Sequence, residues 1–368
     1  LIEECFSYRY LGILFSQSLK DSAHIKTCLK DKSVRLRNYL SGILSNHENI
    51  NRFEFGNSIW KSVLLPSISH GCAVWLNNTK ESISILKSIQ YSFAKAIFNI
   101  KCNPAMSATL GDLGWLPIDI SLNRHRITYF HRMRYDLPGT RLCKQVFDEL
   151  LSVYEQGKDV AWSYCSEIRK VLTNVGLDRA FKSNNEYWLR SFMKLNISSY
   201  NLSFFQDIDE KTSLYWYRVF KRSTFRESYL LNMNDFHATR LKFKARTGCL
   251  SIKENLERWG ASDSKCDMCN GAKEDLVHFL FLCPALNNIR RRVLSTLEKE
   301  LKHCGAEEVW YQYCASSVLG KLCLFLGDYG YMYSNDVGAI FDTFSKEFLV
   351  KAWSFRQESL ADPPEPTT

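Results

Sequence analysis

Four potential metal ligands follow one another within a short stretch of the chain. They have the spacing C-x2-C-x8-H-x4-C and are Cys266, Cys269, His278 and Cys283. Two cysteines separated by two residues can bind one ion if a tight turn lies beside them, and Asn270-Gly271 favours such a turn. Three thiolates and one imidazole complete a tetrahedral shell, which is typical of structural rather than catalytic zinc. The pattern therefore predicts a structural Zn²⁺ site.

The second pair of ligands requires a break in the helix. His278 and Cys283 are five positions apart, and positions five apart do not share a face of an unbroken helix. Pro284 disfavours helical conformation at Cys283 and suits the first position of a new helix. We therefore expect Cys283 to begin a helix over residues 286–301 and to turn back towards His278. The alternative is four unrelated residues, with His278 as an ordinary core histidine.

Basic residues interleaved with aromatic ones precede this cluster. Residues 211–258 carry eleven basic and four acidic side chains, a net charge of +7, whereas the whole chain carries +9. Lysine and arginine neutralise phosphates, and aromatic rings stack on bases. The segment therefore favours nucleic-acid binding, although a solvated helical face with aromatic residues behind it is the alternative. The candidate contacts are Arg240, Lys242, Lys244, Arg246, Arg290, Arg291 and Arg292.

The elements that must position these residues are mainly helices. Apolar residues recur at helical spacing over residues 25–43, 83–97 and 286–301. A helix that starts near Asp235 would bury Ala238, Leu241 and Ala245 and leave Arg240 and Lys244 outside. The best strand candidate is residues 8–15. The fold class is therefore predicted to be mainly α, with few short strands.

Composition excludes several classes of protein. The chain is 45% hydrophobic and 14% aromatic, which excludes a disordered chain. No stretch of about 20 apolar residues is present, so we expect no membrane-spanning helix. The thirteen cysteines are an odd number and the first ten residues do not have the pattern of a secretory leader, so we do not expect a disulfide scaffold. The chain starts with Leu1 rather than Met, and this suggests a fragment of a longer protein.

Taken in order, the motifs resemble the C-terminal part of a reverse transcriptase from a non-LTR (LINE-type) retrotransposon. Residues 8–13 (YRYLGI) are similar to the family's Y-K-Y-L-G-V signature. Residues 59–75 resemble its K-S-V-x-L-P-x-x-x-Y-G-x-x-x-W stretch, with His70 where Tyr is usual, and residues 111–117 (GDLGWLP) resemble the region after the thumb. Residues 240–248 (RLKFKARTG) match its R-L-x-x-x-x-R-T-G segment, which precedes a zinc-binding C-x-x-C…H…C-P cluster.

The resemblance implies a domain order and a function. It covers roughly residues 1–295 and implies the end of the palm and a helical thumb-like region over residues 1–110, a helical linker region over 111–210 and a basic zinc-binding domain over 211–295. Residues 296–368 do not resemble the family, and we expect them to form a C-terminal helical extension with a frayed tail. The implied partners are RNA, RNA–DNA hybrid and target DNA, with no small-molecule substrate. Localisation in cytoplasm and nucleus is implied by the resemblance alone.

The resemblance does not imply catalysis by this chain. An RNA-directed DNA polymerase holds two metal ions on adjacent carboxylates, and the sequence contains no Asp-Asp pair. Asp328, Asp336 and Asp342 are interpreted as surface acids without a catalytic role. The sequence therefore predicts a nucleic-acid-binding fragment that is not an enzyme. The alternative is a zinc-stabilised helical module that binds another protein.

Overall fold

The computed structural model describes residues 5–17, 21–46, 50–75, 80–158, 163–231, 235–260 and 263–360. Within these ranges helices predominate, and two short strands form the one sheet. The predicted mainly α fold class with few short strands is confirmed. None of the described helices is both long enough and apolar enough to cross a bilayer.

The chain divides into two compact units. Unit 1 comprises Leu1–Ile97 and Trp115–Phe204, and unit 2 comprises Phe98–Gly114 and Phe205–Thr368. The four sequence segments proposed above stay a prediction, because compactness alone does not assign a thumb or a linker.

Helices account for most of the ordered structure. They are α1 (Asp21–His24), α2 (Lys30–Asn46), α3 (Arg52–Ile59), α4 (Leu65–Ser69), α5 (Lys80–Phe98), α6 (Met106–Leu113), α7 (Ile118–His131), α8 (Leu142–Glu155), α9 (Tyr164–Thr173), α10 (Trp188–Glu210), α11 (Tyr217–Phe220), α12 (Phe236–Arg246), α13 (Lys253–Arg258), α14 (Asn287–His303), α15 (Glu307–Ala315), α16 (Val318–Leu326) and α17 (Asn335–Leu360). Five-residue π turns join α1 to α2 and α3 to α4.

The predicted strand over residues 8–15 is a hairpin. Strands β1 (Ser7–Tyr10) and β2 (Ile13–Ser16) pair antiparallel. Leu11 and Gly12 form the turn, with φ angles of +48° and +84°. Two consecutive positive φ angles suit a two-residue hairpin loop, whose twist matches that of the strands. The prediction of one continuous strand was wrong because the Leu11-Gly12 turn was not recognised.

Aromatic side chains fill the core of unit 1. The rings of Trp60 and Trp115 stack with centroids 4.7 Å apart, and Phe93 of α5 lies 5.9 Å from Trp60. The indole N–H of Trp115 donates to Oδ1 of Asn57 at 3.0 Å. The polar end of this buried indole is therefore satisfied, as buried polar groups require.

Helix α12 of unit 2 begins where the sequence predicts. The carboxylate of Asp235 accepts hydrogen bonds from the backbone N–H groups of His237 and Ala238, which is an N-cap. Ala238, Leu241 and Ala245 are buried, as predicted. The long helix α17 packs against α12, α14 and α16. The helix that carries most of the predicted basic contacts, α12, is therefore packed against the central helix α17 of unit 2.

Candidate metal centre

The four predicted metal ligands converge. The ligand atoms of Cys266, Cys269, His278 and Cys283 all lie within 4.8 Å of one another. The sulfurs of Cys266 and Cys283 are 3.8 Å apart, and the Cys269 sulfur is 3.4 Å from Nε2 of His278. A tetrahedral ion with metal–sulfur bonds of about 2.3 Å separates two sulfurs by about 3.8 Å. The predicted convergence is confirmed, and the cluster could hold one metal ion.

A tight turn brings the first two sulfurs together. The N–H of Asn270 donates to the carbonyl of Cys266 at 2.8 Å, and the N–H of Cys266 donates to the carbonyl of Ala272 at 3.0 Å. Asn270 has a φ of +53°, in the left-handed region that asparagine tolerates. Asparagine rather than Gly271 therefore supplies the unusual backbone conformation of this turn.

The helix break predicted at Cys283 is present. A π turn covers His278–Leu282, and Cys283 leaves it in an extended conformation, with φ −60° and ψ 119°. Pro284 then starts a short 3₁₀ turn that leads into α14. The N–H of Cys283 donates to the carbonyl of His278 at 2.7 Å. The two ligands are thus held together although they are five positions apart.

Arg290 fixes the second half of the ligand loop. Its Nε donates to the carbonyl of Leu280 at 3.0 Å, and its Nη2 donates to the carbonyl of Cys283 at 3.1 Å. Its Nη1 donates to Oδ1 of Asn287 at 2.6 Å. Since the guanidinium binds three acceptors of its own chain, Arg290 positions a ligand. The predicted nucleic-acid contact by Arg290 stays untested.

Substitution of Arg290 with glutamine (R290Q) is expected to weaken metal binding about tenfold, the lower end of effects seen for groups that orient metal ligands. The physical reason is that the carbonyls of Leu280 and Cys283 lose the donors that hold the loop. The measurement is a competition titration against a coloured zinc chelator. The matched control is R291Q, because Arg291 is the exposed neighbour and has no such contacts. Equal affinities for the two variants would contradict the positioning role.

A buried ion pair attaches the ligand loop to α17. Nε and Nη2 of Arg356 donate to the Glu274 carboxylate at 2.7 and 2.8 Å, and both residues are buried. The same carboxylate accepts from the backbone N–H of Lys253 at 2.8 Å. Sequence reasoning missed this contact, because Glu274 and Arg356 are 82 positions apart and neither belongs to a motif.

The electrostatic surroundings of the thiols differ. Burial raises the pKa of Cys266 to about 12 and also raises the pKa of Cys283. For Cys269, burial acts in the same direction, but hydrogen bonds from the Gly271 backbone and the neighbouring thiols outweigh it and lower the pKa. A bound dication is what stabilises three neighbouring thiolates together.

Lys242 is not available to nucleic acid. Its Nζ donates to Asp342 at 2.9 Å and to the Ser345 hydroxyl at 2.8 Å, and its side chain is 2% exposed. Asp342 also pairs with Lys346 at 2.7 Å. The predicted nucleic-acid contact by Lys242 and the predicted surface position of Asp342 were therefore both wrong. Lys242 lies four positions after the buried Ala238, so helical periodicity could have identified it.

Arg246 is also internal. Its Nε and Nη2 donate to the two oxygens of Asp112 at 3.0 and 2.9 Å, and Nη2 lies 2.7 Å from Glu227. Its side chain is 0% exposed. The prediction that Arg246 contacts phosphate was therefore wrong. Instead, the R-T-G segment and the G-D-L-G segment meet through Arg246 and Asp112.

Further side chains complete this network. The hydroxyls of Tyr217 and Tyr229 donate to Asp112 at 2.9 and 2.8 Å, and Lys221 pairs with Glu227 at 2.6 Å. Burial alone would raise the pKa of Asp112, but the charges of Arg246 and Lys221 hold that pKa below its usual value. Two cations and two carboxylates balance one another, which is the condition for burying charge.

The remaining predicted cations lie at the surface. Arg291 and Arg292 are exposed on the first turns of α14, and Lys244 is half-buried on α12. Among the described residues no carboxylate pairs with these three side chains. Arg240 is half-buried, contacts Nδ1 of His237 at 3.2 Å and lies over the Phe236 ring. Of the seven predicted cations, these four can therefore contact a ligand without breaking an ion pair with a carboxylate or a hydrogen bond of the metal loop.

Comparisons with protein-family models, with curated proteins and with solved structures found no match for this chain. The Cys/His cluster and the surface cations near it in the sequence are the features from which we propose a function.

Proposed function

We propose that this chain is a nucleic-acid-binding C-terminal portion of a non-LTR retrotransposon reverse transcriptase, in which a structural Zn²⁺ orders unit 2. The single observation that carries the proposal is the Cys3His cluster, whose last ligand leads directly into a helix with exposed arginines. In this proposal the chain contributes no polymerase active site, and its zinc does no chemistry.

The donor set supports zinc as the metal. Three thiolates and an imidazole are soft and borderline ligands that suit Zn²⁺, and a fourth protein ligand leaves no open position for substrate. Cys266, Cys283 and His278 are buried, at 0, 0 and 5% exposure. A closed and buried site of this kind stabilises a fold and does not activate water.

The surface cations support a phosphate-binding role for unit 2. Arg291, Arg292 and Lys244 have no carboxylate partner among the described residues, so nucleic acid need not displace an internal ion pair. Lys242, Arg246 and Arg290, in contrast, are bound within the protein. The proposed contacts are therefore the four accessible cations, Arg240, Lys244, Arg291 and Arg292.

The arrangement of the motifs supports the retroelement origin. Asp112 belongs to the segment that resembles the region after the thumb, and Arg246 belongs to the segment that resembles R-L-x-x-x-x-R-T-G. Arg246 forms two hydrogen bonds with Asp112, so a chain that carries one motif gains a buried ion pair by also carrying the other. Gly248, which ends the second motif, has a φ of +66°, and an added Cβ would lie 2.5 Å from the carbonyl of Ser213.

The double variant R291Q/R292Q is expected to bind a labelled RNA hairpin more weakly than the wild type. Affinity falls as salt rises, and each lost phosphate contact is expected to make the slope of log affinity against log salt shallower by about 0.7 to 0.9. The measurement is fluorescence anisotropy across a salt series. The matched control is R35Q/R37Q, which removes the same charge from α2 of unit 1.

Three outcomes would count against the proposed function or the contacts assigned to it. A flat salt response of the wild-type chain would exclude a phosphate-driven contact. Wild-type affinity and slope in R291Q/R292Q would exclude these two arginines as the contacts. Retention of a protein partner by R291Q/R292Q, with no RNA binding by the wild type, would favour the alternative interaction module.

A further inference from the structure

A groove of about 550 Å³ lies in unit 1 between α7 and residues 65–73. One wall is formed by α4 and the turn that follows it. The other wall is a polar face of α7 and its continuation, whose members recur at helical spacing. These members are Ser121, Arg124, His125, Thr128 and Arg132.

The charge of this groove is entirely positive. None of the described residues that line it is acidic. Arg124 and Arg132 are exposed, and neither pairs with a carboxylate within the described ranges. Partial burial and the nearby Arg124 charge both lower the pKa of His125. The two guanidinium groups therefore supply the charge, and nothing in the groove balances it.

Hydroxyl groups lie on the same helix face as the two arginines, Ser121 before Arg124 and Thr128 between Arg124 and Arg132. Ser121 and Thr128 line the groove, and neither side-chain hydroxyl has a hydrogen-bond partner among the described residues. Hydroxyls and guanidinium groups are the common donors to phosphate oxygens in protein–nucleic acid contacts. The groove thus offers several hydrogen-bond donors along one helix face. No carboxylate among the described lining residues competes with a ligand for them.

The length of this row of donors favours a strand over a single phosphate. Arg124 and Arg132 are eight positions apart, which is about 12 Å along a helix at 1.5 Å per residue. One strand of a duplex carries a phosphate about every 3.4 Å. A strand that runs along α7 can therefore bring separate phosphates to the two arginines.

We propose that this groove binds the phosphodiester backbone of a nucleic-acid strand through Arg124 and Arg132. The choice of nucleic acid as the ligand rests on the proposed function. It adds a second phosphate-binding surface, in unit 1, outside the basic segment that the sequence singled out.

The test compares R124Q/R132Q with the wild type in the full chain, with single-stranded RNA as the probe and a salt series as the condition. The loss of two contacts is expected to make the slope of log affinity against log salt shallower by about 1.4, at about 0.7 per phosphate of a single strand. R35Q/R37Q is the control for the loss of two charges. R124K/R132K, which keeps both charges, is expected to retain most of the affinity and guards against misfolding of the glutamine variant.

The outcomes separate this inference from the proposed function. If R124Q/R132Q binds like the wild type while R291Q/R292Q is weakened, the groove is not a contact and the proposed function stands. If R124Q/R132Q is weakened while R291Q/R292Q binds like the wild type, the groove is the contact and the assignment of Arg291 and Arg292 as contacts is wrong. Inorganic phosphate at constant ionic strength is the second probe: millimolar competition that is lost in R124Q/R132Q would identify a single-phosphate site and overturn the strand assignment.

Discussion

Replacement of Cys266 and Cys269 with serine (C266S/C269S) is expected to reduce bound zinc from about one ion per chain to none. It is also expected to unfold the loop around the cluster. The free energy of zinc binding in small structural sites is about 10 to 16 kcal/mol, and it contributes directly to folding because the unfolded chain has no preformed site. The measurements are metal content by mass spectrometry and the thermal melting profile.

The control for this variant is C143S/C304S. Both of these cysteines are exposed and lie outside the cluster, so their loss removes two thiols without removing a ligand. The control is expected to keep its metal and its melting profile. If C266S/C269S melted like the wild type and neither protein carried metal, the convergence of the four side chains would be incidental, and the proposed structural zinc would be excluded.

Substitution of Arg246 with methionine (R246M) is expected to lower the free energy of unfolding of unit 2 by about 3 to 5 kcal/mol. The guanidinium is bidentate on Asp112 and also pairs with Glu227, and all three side chains are buried. Its removal leaves Lys221 to compensate two buried carboxylates. The measurement is urea denaturation followed by tryptophan fluorescence. R240Q, on the outer face of the same helix, is expected to change the free energy by less than about 0.5 kcal/mol.

A double-mutant cycle tests whether this pair acts as a unit. D112N/R246M is expected to cost less than the sum of the two single substitutions, because each single change already breaks the same contact. Additive effects would mean that Arg246 and Asp112 stabilise unit 2 independently. A loss of less than about 1 kcal/mol in R246M would mean that water or another side chain compensates the carboxylates.

Local chemistry determines those parts of the metal centre that the sequence predicted correctly. The spacing of the cysteines, the turn at Asn270 and the effect of Pro284 on Cys283 all act within a few residues of the ligands. For the same reason the start of α12 could be predicted, since Asp235 caps the helix that immediately follows it. Each of these features depends on backbone conformation that neighbouring residues set.

The roles of the cations could not be predicted in the same way, because their partners are remote in the sequence. Asp112 lies 134 positions before Arg246, and Asp342 lies 100 positions after Lys242. A count of charges over residues 211–258 alone cannot show that these cations are paired with carboxylates elsewhere in the chain. Helix α12 is buried on most of its faces, and lysine and arginine within it conceal the hydrophobic periodicity that would otherwise indicate burial.

The ion pair between Glu274 and Arg356 bears on where this protein can be divided. The metal ligands end at Cys283, so a fragment trimmed just beyond this residue contains all four of them. Such a fragment would lack Arg356 and would leave the Glu274 carboxylate without its cation inside the protein. A shortened copy that keeps every ligand would therefore lose an ion pair that anchors the metal loop, and we expect a stable fragment of unit 2 to need α17.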